Sequence, residues 1–145
     1  MAAAVLLFNE KKELLIVKPN YRNDWLLPGG IVEENESPKT AAIRELKEEI
    51  GLNINADKLE FAGVDYKSRK DIGGEMVHFI FSGGALPPEI FERIALQKEE
   101  LDEYKFAPIE EALILLNVHL GKRVAKALNG IKNTTPVYLE NGELV

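Results

Sequence analysis

The 145-residue sequence contains no cysteine. That absence excludes disulfides, thiolate metal ligands and cysteine nucleophiles, and nothing in the chain points to secretion. Positive charge is in short supply: 18 Lys and Arg face 24 Asp and Glu, for a net charge of −6. Such a balance argues against a general nucleic-acid binder and against docking on an anionic membrane through a basic patch. Nor is there an apolar stretch long enough to span a bilayer. The run Ala2 to Phe8 is too short, lacks a basic leader and passes directly into Asn9, Glu10, Lys11 and Lys12, so it reads as a strand entering a turn. Internal repeats and low-complexity tracts are missing too. The expectation is one cytoplasmic domain over residues 1–145, with 46% hydrophobic residues to build its core.

What is present is concentrated between Gly30 and Leu52, in the stretch GIVEENESPKTAAIRELKEEIGL. Ser37 followed by Pro38 is a helix start: a hydroxyl to cap free backbone N–H groups, then a proline whose fixed φ suits the first turn. Gly51 is the matching stop, able to adopt the left-handed conformation that ends many helices. At about 100° per residue, Ala42, Ile43, Leu46 and Ile50 gather on one arc and Glu45, Glu48 and Glu49 on a neighbouring one. Carboxylates three and four residues apart repel by a few tenths of a kcal/mol per pair, and Arg44 neutralises only part of that charge. Two readings of the string RELKEE follow. One is a solvated, salt-bridged surface helix; the other is a helix that holds a hard divalent ion, since Mg²⁺ and Mn²⁺ prefer oxygen ligands.

The longer pattern separates them. Gly30, Glu36, Arg44, Glu45, an aliphatic at Leu46, Glu48, Glu49, Gly51 and an aliphatic at Leu52 resemble the complete box of the Nudix (MutT-like) hydrolases, with no departure from its spacing. Trp25, Leu26, Leu27, Pro28 and Gly29 resemble the usual lead-in to that box. The resemblance implies an α/β fold with a mixed β-sheet sandwiched between α-helices. It further implies hydrolysis of a nucleoside diphosphate linked to another group, such as a nucleoside triphosphate or a nucleotide sugar like ADP-ribose, by water attack on a pyrophosphate bond. Mg²⁺, or Mn²⁺ in its place, would be held by Glu48 and Glu49, by the backbone carbonyl of Gly29, and by Glu45 acting either as ligand or as the base. Gly30, Glu36, Arg44 and Gly51 would be structural supports, with Glu36 and Arg44 holding the loop against the helix. Relatives often add a carboxylate from outside the box. Of Glu99, Glu100 and Glu103, Glu100 is preferred for its position ahead of the strand aromatic Phe106, as a metal ligand or catalytic group. The partners implied are a small nucleotide substrate, no nucleic acid and no membrane, in a monomer or homodimer. A non-catalytic nucleotide-binding regulatory module of the same fold is the alternative, although such modules often lose box glutamates.

Elsewhere the pattern gives strands at Ala2 to Phe8 and Glu13 to Lys18, joined as a hairpin, and short extended pieces at Trp25 to Leu27 and Ile31 to Glu33. A second hairpin spans Leu59 to Lys67 and Glu75 to Phe81, and Gly83 to Pro88 reads as a breaker-rich loop. A short helix at Glu89 to Leu96, a strand at Tyr104 to Ala107, and helices near Ile109 to Leu116 and Val118 to Asn129 follow. Asn141 and Gly142 form a turn dipeptide that folds the tail onto Val137 to Leu139. Substrate contacts have only faint candidates, in Arg22, Tyr66, Arg69 and His78, with Tyr21, His119 and Asn117 weaker still. Trp25 fits a core position better than a stacking one.

Overall fold

The computed structural model describes residues 1–68 and 74–145. Alternating or continuous apolar runs form the strands β1 (Ala2–Phe8), β2 (Leu14–Pro19), β3 (Gly29–Ile31), β4 (Glu60–Lys67), β5 (Met76–Ala85), β6 (Leu101–Ala107), β7 (Val137–Glu140) and β8 (Glu143–Leu144). The helices are α1 (Pro38–Ile50), α2 (Pro88–Phe91), α3 (Ile109–Leu115) and α4 (Val118–Lys132). Among the described residues the strands make one mixed sheet in the order β6-β2-β1-β5-β4-β7-β8, with β3 paired to β1. The pairs β1–β5 and β4–β7 are parallel.

Strand β1 is apolar throughout because both of its faces are covered. Ala3, Val5 and Leu7 share one core with Ala42, Leu46 and Ile50 of α1. Leu6 shares the other with Ala112 of α3 and Leu120 and Val124 of α4. The sheet therefore lies between helices, as the sequence predicts. None of the described helices is long and apolar enough to cross a membrane.

Helix α1 has the ends its sequence calls for. Ser37 Oγ accepts from the Thr40 N–H at 3.1 Å. Gly51 adopts φ 73° and donates its N–H to the Lys47 carbonyl at 3.1 Å.

Several boundaries differ from expectation, each for a tertiary reason. Strand β5 runs on through Gly83 and Gly84, where the sequence pattern gives a loop, because it continues pairing with β1 across a bulge: Leu6 faces Ser82 but Leu7 faces Gly84. The extra residue must be small, since a Cβ at Gly83 would stand 2.5 Å from Leu7 Cδ2. The helix expected over Glu89 to Leu96 stops at Phe91, which packs edge-on against Phe106. Beyond it, the N–H groups of Ala95 and Gln97 are donated to the carbonyls of Ile50 and Glu49 at 2.9 and 2.8 Å, satisfying the end of α1 instead of prolonging α2. Strand β6 starts at Leu101, because its pairing with β2 extends to Pro19. The first hairpin splays after Phe8 and Leu14, and β3 sits two residues earlier than the extended piece predicted at Ile31 to Glu33. At the tail, Asn141 and Gly142 both have positive φ, 54° and 82°, the backbone that a two-residue hairpin turn requires.

Candidate active site

The site begins at the two glycines of β3. Gly29 has φ 153°, and a Cβ there would collide with the Ala3 carbonyl oxygen on β1. A Cβ on Gly30 would collide with the carboxylate of Glu45. Gly29 thus lets β3 close on β1, and Gly30 leaves Glu45 a seat on bare backbone.

Arg44 organises the outer side. Its Nε and Nη2 bind the two carboxylate oxygens of Glu36 at 2.7 and 2.9 Å, and Nη2 also reaches the Ile31 carbonyl at 3.1 Å. The backbone N–H of Glu33 adds a bond to Glu36 at 3.0 Å. Paired with the guanidinium, the Glu36 carboxyl is pulled down to a pKa of about 2, and Arg44 is held more firmly protonated, chiefly by Glu36. The same guanidinium contacts Glu45 at 3.0 Å and Glu48 at 3.1 Å through Nη1. Glu48 itself points outward, its side chain 53% exposed.

Glu49 is different from its neighbour in kind. It is 8% exposed, against the core. Burial pushes its pKa up to about 9, helped by the charge of Glu45, a hydrogen bond with Glu45 and the charge of Glu100, while the backbone at Gly29 acts in the opposite sense. Glu100 is brought near by the loop that ends α1: besides the Gln97-to-Glu49 bond, the Glu100 carbonyl accepts from the Asn20 N–H at 2.9 Å. The Glu99 carbonyl accepts from Asn20 Nδ2 at 2.8 Å, and Glu103 lies on β6 opposite Lys18. Of the three acidic candidates in that segment, Glu100 is the one whose charge reaches Glu49.

Among the described residues, no three carboxylate or imidazole side chains converge closely enough to enclose an ion as they stand. Arg44 engages both Glu45 and Glu48. The donor chemistry nevertheless fits a hard divalent ion: oxygen donors only, two of them crowded together in a partly dry setting where like charge needs a cation.

On the opposite face of the sheet, Gly29 and Gly30 also border a cavity of about 860 Å³ closed by β4, β5 and α4. Within it Asp65 and Arg123 form a buried ion pair, Nε to Oδ2 at 2.7 Å, and Asp65 Oδ1 accepts from the Gly142 N–H at 3.0 Å. His78, the cross-strand partner of Asp65, is kept neutral: burial, Arg123 and Lys67 hold its pKa down at about 4, against the opposing charge of Asp65.

Of the weaker sequence candidates, Arg22 and His78 line this cavity, as do His119 and Asn117. Asn117 also caps α4 by accepting from the Leu120 N–H at 2.9 Å. Tyr66 does not line it; its hydroxyl is bound to Glu75 at 2.7 Å. Arg69 lies outside the described residues. Tyr21 is exposed, and Trp25 is buried with Lys105 Nζ 5.1 Å over its ring. Sequence reasoning missed Asp65 and Arg123. A signal existed: Arg123 stands at helical spacing with Leu120, Val124 and Ala127 on the buried side of α4, and a charged residue on an apolar stripe demands a partner.

Comparison with known proteins places the chain by sequence and by fold. Residues 1–128 match the NUDIX domain. An RNA pyrophosphohydrolase of a Nitratiruptor species is 31% identical over 123 residues, 77% of each chain. Diphosphoinositol polyphosphate phosphohydrolase 3-alpha of Mus musculus is 28% identical over 81% of this chain and 69% of its own. Five further curated relatives align over 48 to 60 residues, between 29% and 38% of their own length. Among solved structures, the MutT protein from Methanosarcina mazei Go1 superposes with a TM-score of 0.69 at 24% identity, over 92% of this chain and 93% of that one. With the domain matched over most of its length, the glycine-seated carboxylates of α1 in place and the same fold in its structural neighbour, the chain belongs to the NUDIX family of pyrophosphohydrolases.

Proposed function

We propose that this protein is a divalent-metal-dependent hydrolase that cleaves a pyrophosphate bond in a small nucleotide, a nucleoside diphosphate linked to another group, by attack of water at phosphorus. The observation that carries the reading is the buried carboxyl of Glu49 beside Glu45 and within reach of Glu100's charge. Such crowding is costly without a cation and useful with one. Mg²⁺ or Mn²⁺ would be held by Glu49, Glu45 and Glu100, by the Gly29 carbonyl, and by Glu48 once it leaves Arg44. When bound, the ion neutralises pyrophosphate oxygens and lowers the pKa of water. Glu36 and Arg44 keep the β3–α1 loop closed over the helix, so that Glu45 stays on Gly30. From that seat Glu45 would ligate or take a proton from the attacking water, with the Arg44 guanidinium 3.0 Å from its carboxylate.

Two relatives carry names that differ in substrate, an RNA pyrophosphohydrolase and a diphosphoinositol polyphosphate phosphohydrolase, but both names denote hydrolysis of a phosphate-rich compound. The test is product analysis with a panel of nucleoside triphosphates, ADP-ribose, diphosphoinositol polyphosphate and 5′-triphosphorylated RNA, with Mg²⁺ or Mn²⁺ and with chelator. Phosphate or monophosphate release that requires metal, and that drops by about 10²-fold or more in Glu100→Gln with the fold intact, is the expected result. Tight binding of ADP-ribose or a triphosphate without turnover under either metal would sink the hydrolase reading and leave a regulatory module.

A further inference from the structure

The cavity on the α4 face has a charge opposite to that of the chain. Arg22, Lys67, Lys122 and Arg123 line it, with Asp65 as the one carboxylate among the described lining residues, in a protein of net charge −6. Arg22 and Lys122 are partly engaged at the rim, with Asp24 and Glu143, both at 3.2 Å. Arg123 is placed otherwise. It is 6% exposed, and among the described residues Nε is the one guanidinium nitrogen with an acceptor, Asp65. None of its nitrogens is a buried atom without a partner, so the two terminal nitrogens keep some exposure, in a side chain that lines the cavity. Asp65 is in turn fixed by the Gly142 N–H, which leaves the guanidinium little freedom. A planar fork held in this way presents two parallel donors, the geometry that suits a carboxylate or phosphoryl group.

We propose that this cavity binds a phosphoryl group which the substrate carries beyond the scissile pyrophosphate, with Arg123 as its direct donor, Lys67 as a supporting charge and Asp65 as the positioning residue. The proposal rests on the hydrolase reading for the identity of the scissile group. Gly29 and Gly30 border the cavity, and Gly30 also seats the Glu45 carboxylate. A single substrate can thus lay its pyrophosphate at the carboxylates and its second anionic group at Arg123. The preferred substrates are then nucleotides that carry a further phosphoryl group, over those whose attached group is uncharged.

Binding of inorganic tripolyphosphate in the presence of chelator tests this apart from turnover, because the metal-free carboxylates of α1 repel an anion and leave the cavity to receive it. Calorimetry on the full chain should show saturable binding at one site. Arg123→Lys, which keeps a cation for Asp65 but removes the fork, should weaken it by about tenfold, and Lys67→Met by a few-fold. Glu49→Gln should leave it unweakened. Lys67→Met does not disturb the buried pair and decides the matter if Arg123→Lys fails to fold. Wild-type binding that is absent at millimolar concentration, that survives both substitutions, or that is weaker than binding of neutral adenosine, would overturn the proposal. Loss of turnover on the whole panel with this binding intact would count against the hydrolase reading alone.

Discussion

Glu48 and Glu49 are adjacent in the chain and chemically unlike. The first is half exposed and paired with Arg44; the second is buried beside Glu45 and has its pKa raised to about 9. At neutral pH without metal, Glu49 therefore keeps its proton, and a divalent ion held there as proposed would have to displace it. The consequence for stability has a definite sign. Between the ordinary carboxyl value of 4.5 and about 9 the folded chain binds more protons than the unfolded one, so stability falls as pH rises through this window. Glu36, drawn down to about 2 by Arg44, acts in the opposite sense and in another window: its contribution is present above 4.5 and is lost in acid. We expect the thermal midpoint of the metal-free protein to fall steadily from pH 5 to about pH 9, as followed by calorimetry in chelator. In Glu49→Gln that slope should flatten while turnover falls by about 10²-fold or more. A wild-type slope retained by Glu49→Gln, or wild-type activity in that variant, would remove Glu49 from the role given to it.

Helix α1 joins two kinds of instruction, one for its own ends and one for its neighbour. Its capping is local: Ser37 closes the first turn and Gly51 the last, within a few residues of where the signals stand in the chain. Its seating on β3 is not local, because Gly30 is glycine on account of the Glu45 carboxylate that rests against it. The two can be told apart by mutation. Ser37→Ala should lower stability by about 1 kcal/mol and leave the activity of the folded fraction unchanged. In Gly30→Ala the added methyl meets the end of a flexible side chain, so the helix stays and Glu45 is displaced. Activity should then fall by about tenfold or more for a stability change near 1 kcal/mol. Denaturant titration beside steady-state kinetics separates them, and equal effects of both changes on activity would refute the distinction. The boundaries that sequence patterns misplace have the same origin. The segment after Phe91 looks helical in isolation, yet its N–H groups close the carbonyl end of α1.

The mixed sheet divides the molecule into an acidic face under α1 and a basic cavity under α4, which meet at Gly29 and Gly30. On the proposed reading, these opposite charges would orient an anionic substrate that reaches from one to the other. That attraction is screened once the Debye length falls below the size of the cavity, about 3 Å at 1 M salt. Raising the salt concentration from about 0.05 to about 0.5 M should therefore raise KM several-fold with a smaller change in kcat; a KM indifferent to salt would contradict a charge-guided site. What could be read in the chain was chemistry confined to neighbours. The caps of α1, the spacing from Gly30 to Leu52, the apolar stripe of Ala42, Leu46 and Ile50, and the Asn141–Gly142 turn all depend on contacts a few residues apart. From these came the family and the helix proposed to hold the metal. Helical periodicity places Glu45, Glu48 and Glu49 on one arc, but the packing around α1 leaves Glu49 only 8% exposed and Glu48 half in water. Asp65 and Arg123 are 58 positions apart, and no local spacing announces their bond. Angular position about a helix axis is a property of the chain; which neighbour covers that angle, and whether a charge there meets water, carboxylate or guanidinium, is settled when the layers pack.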